Sequence, residues 1–371
     1  MLNLQEHLNN QPKPKRIIFL DLMRAFAVLM MVQGHTVHTF LDNDLRTTES
    51  IFYLVWNTLR GFTAPIFMFT AGVVFTYLLF LNNKTPNKDR LIKGIKRFLL
   101  LVFIGYLLRY PTYTIIDFSN VSENQWRIFF AVDALHLIGF GLLFIIILSV
   151  IANTIKISPY ITLLTGTLFF VLLYPITSTI NWNEFLPAPI AAYMYKETGS
   201  LFPLFPWAGY VLGGSLLGVF LAHNHGIFKK KRFGSGLILI GLSFMFVYFI
   251  GSQIVYWFLG SYDTDVSGVA IFFLRVGFVI ALNGAVALVV IRVENIPHLI
   301  KLVGRHTLLI YVVHLVILYG SAWVPGLYNS IGQQFSISLT LLAVLLMYSL
   351  MIGMVVVLER FNKYRREKFA V

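Results

Sequence analysis

The chain has 371 residues, of which 57% are hydrophobic and only 12% charged, and its mean hydropathy is +0.76. Apolar runs of membrane-spanning length recur along it, which excludes a soluble domain and predicts an all-α, polytopic membrane protein. The net charge of +13 does not indicate nucleic-acid binding, because the basic residues lie between the apolar runs. The absence of cysteine excludes thiol catalysis, disulfides and thiolate metal sites.

Ten apolar segments predict a bundle of about ten transmembrane helices with both termini in the cytoplasm. We expect a polar cytoplasmic tail at 1–15, a single membrane domain at 16–360 and a basic cytoplasmic tail at 361–371. The second span is long enough to bend, and Pro65 would cause a kink there. The predicted spans are 17–41, 51–81, 95–116, 128–152, 159–180, 201–223, 234–258, 267–291, 302–320 and 335–359.

The basic residues predict the orientation. With the N-terminus inside, 22 of the 29 Lys and Arg residues lie in cytoplasmic segments, and only Arg46, Arg127 and Lys196 lie in outer loops. The remaining four, Arg24, Arg60, Arg109 and Arg275, lie within spans or at their ends. This asymmetry is the positive-inside pattern. We therefore expect a multi-pass protein of the cell's inner (cytoplasmic) membrane, in contact with membrane lipid.

The first span carries Asp21, Arg24, His35 and His38. A charge at bilayer depth costs roughly 2.5 kcal/mol or more, so such residues rarely persist without a partner or a function. The helix period places Arg24 and His35 on nearly the same face, about 16 Å apart along the axis. Asp21 and His38 each lie three residues away, on neighbouring turns. This face lines a bundle interior or a wet cavity. A plainer interpretation remains, in which the charge pair anchors the inner end and the histidines cap the outer end.

Five further spans carry ionisable residues in their outer parts. These are Arg60, Arg109, Asp133, His136, Arg275 and His314. A single such residue reaches the interface by snorkelling, and Arg109 is a candidate for this. Because His35 lies at a similar depth, six helices bring ionisable groups to one layer. We interpret this layer as a polar chamber that opens outward.

A cationic rim is predicted on the cytoplasmic side. It consists of KTPNKDRLIKGIKR (84–97), KKKR (229–232) and Arg305. Positive-inside charge in contact with anionic lipid explains such a rim, and so does docking of a polyanionic ligand such as a nucleotide-bearing cofactor. Neither GxxxxGK[ST] nor GxGxxG occurs in the chain, so ATP hydrolysis is not the expected energy source.

Several stretches resemble one membrane enzyme family. RIIFLDLMRAFAVLMMVQGH (16–35) looks like the opening motif of the transmembrane acyltransferase superfamily, in which Arg and His are separated by ten residues. GRHTLLIYVVHLVILY (304–319) is similar to a penultimate-helix motif, and the resemblance covers roughly 16–320. Three more stretches resemble the branch related to heparan-α-glucosaminide N-acetyltransferase: APIFMFTAGVVF (64–75), VDALHLIGFGLL (132–143) and FPLFPWAGYVLGGSLLG (202–218).

The resemblance implies transfer of an acyl group, usually acetyl, from cytoplasmic acyl-CoA to an acceptor on the other side of the membrane. By position, His35 matches the catalytic histidine and Arg24 its partnered arginine, although Ala25 replaces the usual glycine. In the eukaryotic lysosomal members the catalytic histidine lies further beyond the first motif. This leaves His38 as an alternative.

The residue types suit acyl transfer to a hydroxyl or an amine, because imidazole is a base near neutral pH. His35 would deprotonate the acceptor in a direct transfer, or would itself accept the acetyl group in a two-step route. Arg60 and Arg275 are candidates for stabilising the oxyanion or for holding an acidic acceptor. Asp133 would orient a histidine, with His136 as the nearest one.

We expect acetyl-CoA as the donor, with its phosphates bound by Lys93, Arg97 and Arg305 and its pantetheine arm extending past Arg24. The acceptor would be a glycan or an amino sugar, and a homodimer is compatible with the resemblance. The alternative function is a secondary transporter or flippase for an anionic solute or lipid-linked sugar, in which intramembrane Arg and His serve as substrate and proton sites. Polar pairs with i, i+3 spacing are too common to predict a metal, and none is expected.

Overall fold

The computed structural model of the protein describes residues 17–47, 49–81, 85–259, 264–293 and 296–369. The predicted tail at 1–15 and Lys84 of the cationic rim lie outside these residues. Within them the chain forms helices and no strand, apart from two isolated β-bridges. The predicted all-α class is therefore confirmed.

The helices alternate between long membrane-type segments and short connecting ones. In chain order they are α1 (Ile18–Phe40), α2 (Ile51–Arg60), α3 (Thr63–Phe80), α4 (Lys88–Leu108), α5 (Glu123–Phe130), α6 (Ala134–Thr154), α7 (Pro159–Leu172), α8 (Tyr174–Thr179), α9 (Ala188–Ala191), α10 (Leu204–His223), α11 (Lys231–Leu259), α12 (Thr264–Arg292), α13 (His298–Arg305), α14 (Thr307–Tyr319), α15 (Leu327–Ile331) and α16 (Ile337–Phe369).

In the part of the chain that is described, eight helical segments are long and apolar enough to cross a membrane, and nine if the bent pair α13–α14 is one span. The predicted third span coincides with α4, which is not among them and carries Lys93, Lys96 and Arg97 in its first half. Helix α4 also ends at Leu108, eight residues before the predicted boundary. The polytopic class is confirmed, whereas the count of ten spans stays a prediction.

Two predicted spans are interrupted near the site. The second is interrupted between α2 and α3 at Gly61 and Phe62, and Pro65 lies in the first turn of α3. A proline lacks the N–H that would bond to the carbonyl four residues earlier, here that of Gly61, and its ring crowds that carbonyl, so the interruption lies where Pro65 is expected to kink the span. The fourth span was predicted to begin at 128, but α6 begins at Ala134. Asp133 is its N-cap and accepts hydrogen bonds from the backbone of Leu135 and His136.

Helix α1 packs against α3, α12, α13, α14 and α16. Its buried side chains include Met23, Ala27, Val28 and Val32. Glycine allows the closest approach, because a Cβ at Gly304 of α13 would collide with the carbonyl oxygen of Asp21. Helix α1 therefore contacts helices from both the first and the last part of the described chain.

Three connections fold into a cap at the C-terminal end of α1, which we define as residues 109–133, 180–203 and 320–336. The Val132 N–H donates to Ser200 Oγ at 2.9 Å, and the Leu201 N–H donates to the Val132 carbonyl at 3.0 Å. Trp323 Nε1 donates to the Tyr113 carbonyl at 3.0 Å, and the Gln333 N–H donates to the Thr39 carbonyl at 2.8 Å. These bonds hold the cap together and attach it to α1.

Candidate functional site

A cavity of about 660 Å³ lies beneath the cap. Helices α1 to α4 and α14 form its walls, and Gln125, Leu201 and Ser321 contribute from the cap. This volume falls in the usual range of small-molecule sites, about 300–1,000 Å³. Five of the ionisable residues singled out in the sequence line the cavity: His35, His38, Arg60, Arg109 and Asp133.

The two histidines of α1 share one partner. His35 Nδ1 lies 3.1 Å from the Tyr319 hydroxyl, and His38 Nδ1 lies 3.0 Å from the same oxygen. The ring of Tyr328 stacks on that of His38, with centroids 6.0 Å apart and an interplanar angle of 4°. Tyr319 therefore joins imidazoles that lie nearly one helical turn apart.

His314 lies directly beside His35. Their ring centroids are 5.4 Å apart, and the His314 side chain is fully buried. Its Nδ1 lies 2.7 Å from the Ile310 carbonyl, which can only accept a hydrogen bond, so Nδ1 carries a proton. Its Nε2 has no hydrogen-bond partner among the described residues. His314 thus places an acceptor nitrogen in the interior without lining the cavity itself.

Arg60 enters the cavity from the C-terminal end of α2. Its guanidinium lies over the Trp56 ring, 5.7 Å from the centroid. A Cβ at Gly34 would be 3.7 Å from Arg60 Cγ, so the small residue on α1 makes room for the side chain. In the described part of the chain no carboxylate lies within ion-pair distance of Arg60. A half-buried cation without a counter-ion favours an anionic or electron-rich ligand.

A second polar group contains Asp133, His136 and Arg109. Asp133 Oδ1 lies 3.0 Å from His136 Nδ1, and Asp133 Oδ2 lies 3.6 Å from Arg109 Nε. Asp133 and Arg109 line the cavity, whereas His136 is fully buried behind them. A Cβ at Gly105 would be 2.6 Å from the His136 ring, so glycine on α4 is what allows the ring to sit there.

Asp21 and Arg24 lie at the other end of α1. Arg24 Nη1 is 4.0 Å from Asp21 Oδ1, and Arg24 Nη2 donates to Thr307 Oγ1 at 3.1 Å. The pair therefore contacts the junction of α13 and α14, which meet at a bend of 73°. Arg24 links α1, which carries His35 and His38, to α14, which carries His314 and Tyr319.

Arg275 does not line the cavity. Its guanidinium lies over the Trp207 ring, 5.5 Å from the centroid. A Cβ at Gly61 would be 3.8 Å from Arg275 Nη2, so the side chain approaches the α2–α3 break from behind. Arg275 is thus placed to support the break beside Arg60.

The structure leaves the three residues of the proposed CoA site apart from the cavity. Lys93, Arg97 and Arg305 are all exposed. Helix α4, which carries the first two, packs chiefly against α6, whereas α13 packs against α1 and α16. A common site for these three residues stays a prediction.

Tyr319 is the main residue that the sequence interpretation missed. It ends the quoted stretch 304–319, five residues after His314, and five helical steps rotate it by about 140°. Helical spacing therefore gave no reason to place the two side chains together. The 3.0 Å and 3.1 Å contacts depend on how α14 packs against α1.

Together these features define a polytopic, all-α membrane protein with a cavity lined by imidazole and guanidinium groups. The family described as heparan-alpha-glucosaminide N-acetyltransferase, catalytic, matches residues 16–253, and the chain belongs to this family. No curated protein and no solved structure matches the chain. The match includes four of the five stretches that carried the resemblance but ends before 304–319, so similarity beyond residue 253 stays a prediction.

Proposed function

We propose that the protein transfers an acetyl group from cytoplasmic acetyl-CoA to a hydroxyl or an amine of a glycan or amino sugar on the outer side of the membrane. Family membership supports membrane acetyl transfer as the coarse function. The observation that carries the reaction is the position of His35, which lines the cavity while its Nδ1 is held by Tyr319. Because this contact occupies Nδ1, Nε2 is the ring nitrogen that we assign to proton transfer.

In the direct route, His35 Nε2 takes the proton of the acceptor as its oxygen or nitrogen attacks the thioester carbonyl. The bond from carbon to the acceptor forms, the carbon–sulfur bond breaks, and CoA leaves as a thiolate that takes the proton from His35. In the two-step route, His35 first receives the acetyl group itself. Both routes need an unprotonated Nε2 on His35.

Arg60 is the best placed group to stabilise the oxyanion that forms on the thioester carbonyl. It is a cavity cation without a described carboxylate partner, so its charge is available to a ligand. Such preorganised charge is usually a large part of enzymatic acceleration. Asp133 and Arg109, which also line the cavity, would bind the hydroxyl or amino groups of the acceptor.

The donor would approach from the basic side, where Lys93, Arg97 and Arg305 would bind the CoA phosphates. Its pantetheine arm would pass Arg24 toward His35, eleven residues or about 16 Å further along α1. The distribution of basic residues supports this sidedness and a location in the cytoplasmic membrane. A homodimer and bound membrane lipid belong to the same proposal.

The test is an acetyl-transfer assay on the purified protein in lipid nanodiscs, with acetyl-CoA as donor and glucosamine as the probe acceptor. Because the chain has no cysteine, a thiol reagent reports only the released CoA. We expect His35→Ala to lower the rate by roughly 100-fold or more, as removal of a general base does. His225→Ala is the matched control, since His225 lies in the exposed turn after α10.

Folding of both variants is checked by thermal unfolding and by binding of acetyl-CoA, because a ligand of the folded state raises its apparent stability. A folded His35→Ala protein with full transfer activity would refute the role of His35. Absence of acetyl-CoA binding by the wild type at millimolar concentration would refute the acetyl-transfer function and favour a transporter with His35 as a proton site.

A further inference from the structure

The Tyr319 hydroxyl makes two hydrogen bonds that constrain the protons of the site. A hydroxyl has one proton and two acceptor lone pairs, so it can donate to only one of two imidazole nitrogens. Because His35 Nδ1 and His38 Nδ1 both lie within 3.1 Å of the oxygen, at least one of them must carry a proton and donate it. The imidazole that donates from Nδ1, when neutral, has a bare Nε2.

We propose that Tyr319 sets the two tautomers, accepting a hydrogen bond from His35 Nδ1–H and donating its own proton to His38 Nδ1. His35 then presents a bare Nε2 to the cavity, while His38 carries its proton on Nε2. This assignment rests on the proposed function, since only a bare Nε2 on His35 can take the acceptor's proton. Tyr319 and His38 are therefore positioning residues, and His38 is not a second base.

Contacts with residues of the cap hold Tyr319 and His38 in place. Tyr328 stacks on the His38 ring, and Gln333 Nε2 donates to the Tyr328 hydroxyl at 3.0 Å. Asn43 Nδ2 in turn donates to Gln333 Oε1 at 2.7 Å. The side chains thus form one series from the cap to His35. An orienting partner on the far nitrogen of a catalytic imidazole serves the same purpose in hydrolytic triads, where it fixes both tautomer and ring orientation.

The tautomers are measured directly by ¹⁵N NMR of the protein with ¹⁵N-labelled histidine in lipid bilayers, without donor or acceptor. His35→Gln and His38→Gln variants assign the two signals. We expect His35 to be protonated on Nδ1 and His38 on Nε2 at a pH where both rings are neutral. Protonation of His35 on Nε2 would overturn the proposal. Because no reaction is involved, this result stands whether or not the protein transfers acetyl groups.

The second test is Tyr319→Phe, which removes the shared oxygen and keeps the ring. We expect the Nδ1-protonated signal of His35 to be lost and kcat to fall by roughly 100-fold, with KM for acetyl-CoA changed by less than about twofold. The pH dependence of kcat should also shift, because His35 loses a partner that favours one protonation state. A loss of packing alone would not alter the tautomer signals.

Tyr348→Phe is the matched control. Its hydroxyl also bonds to α1 from another helix, donating to the Leu29 carbonyl at 3.1 Å, but it touches neither histidine. We expect this variant to keep the wild-type ¹⁵N pattern and kcat. A folded Tyr319→Phe protein with unchanged histidine signals and unchanged kcat would overturn the proposal. If the wild type shows the expected tautomers but itself transfers no acetyl group, the proposed function fails and the tautomer assignment holds.

Discussion

A single residue, Arg60, brings a charge into the cavity without a described carboxylate to balance it. An unpaired half-buried charge costs stability, and this is why we propose a role toward a ligand for Arg60. Arg109 differs, because it lies 3.6 Å from Asp133. The two cavity arginines are therefore not equivalent, although the sequence places both in the outer part of a predicted span.

Arg60→Gln should separate ligand binding from folding. We expect its melting temperature to equal or exceed that of the wild type, because an unpaired charge has been removed. The rate of acetyl transfer should fall by roughly 100-fold if the guanidinium stabilises the oxyanion. Thermal unfolding in nanodiscs and release of CoA from acetyl-CoA measure the two effects.

Arg127→Gln provides the contrast for Arg60. Arg127 donates to the carbonyls of Thr198 and Glu197 at 3.2 and 3.3 Å, so this variant should unfold at a lower temperature than the wild type. If Arg60→Gln is destabilised to the same degree and keeps its transfer rate, Arg60 has a structural role and the oxyanion assignment is wrong.

At the scale of the helix, the site depends on breaks that interrupt otherwise continuous apolar runs. Asp133 ends one such run, since its side chain caps α6 and its second carboxylate oxygen lies toward Arg109. An N-cap followed three residues later by a polar side chain is a recognised start signal. In VDALH (132–136) the signal was present, but the apolar residues on both sides favoured a continuous span from 128.

Asp133→Asn and Asp133→Ala should distinguish capping from chemistry. Asparagine still caps a helix, whereas alanine at this position costs about 1 kcal/mol. We expect Asp133→Ala to unfold at a lower temperature than Asp133→Asn. We also expect both variants to bind glucosamine more weakly, seen as a higher KM for this acceptor, because each lacks the carboxylate.

The KM comparison decides between the two roles. If Asp133→Asn keeps the wild-type KM and kcat, Asp133 serves only as an N-cap and as the partner of His136. The lower stability of Asp133→Ala would then account for any loss of activity in that variant.

At the scale of the whole molecule, the sequence was sufficient for the all-α membrane class. Hydropathy acts over many residues, so this prediction rests on an average. The contacts that make the site could not be predicted, because they depend on packing between distant helices. Tyr319 reaches His35 across 284 residues, and Arg24 reaches Thr307 across 283. The cap was also not predicted, because each predicted outer loop is short by itself. The loops form a cap only when they pack against one another.

The donor side is the last property that belongs to the whole molecule. With the protein in sealed vesicles of known orientation, acetyl-CoA should support transfer only from the side that carries the basic residues. Lys93/Arg97/Arg305→Ala should raise KM for acetyl-CoA by at least about tenfold, because phosphate contacts by charged donors are lost. The KM of the wild type should rise with salt concentration, whereas that of the triple variant should rise less.

Arg360/Lys363/Lys368→Ala removes the same number of exposed charges from the end of α16 and serves as the control. An equal rise of KM in this variant would mean that the net charge of the surface attracts the donor and that Lys93, Arg97 and Arg305 form no site. Transfer supported only from the cap side would reverse the donor assignment. In that case the cavity beneath the cap would have to admit both substrates, and the basic side would be left to contact lipid.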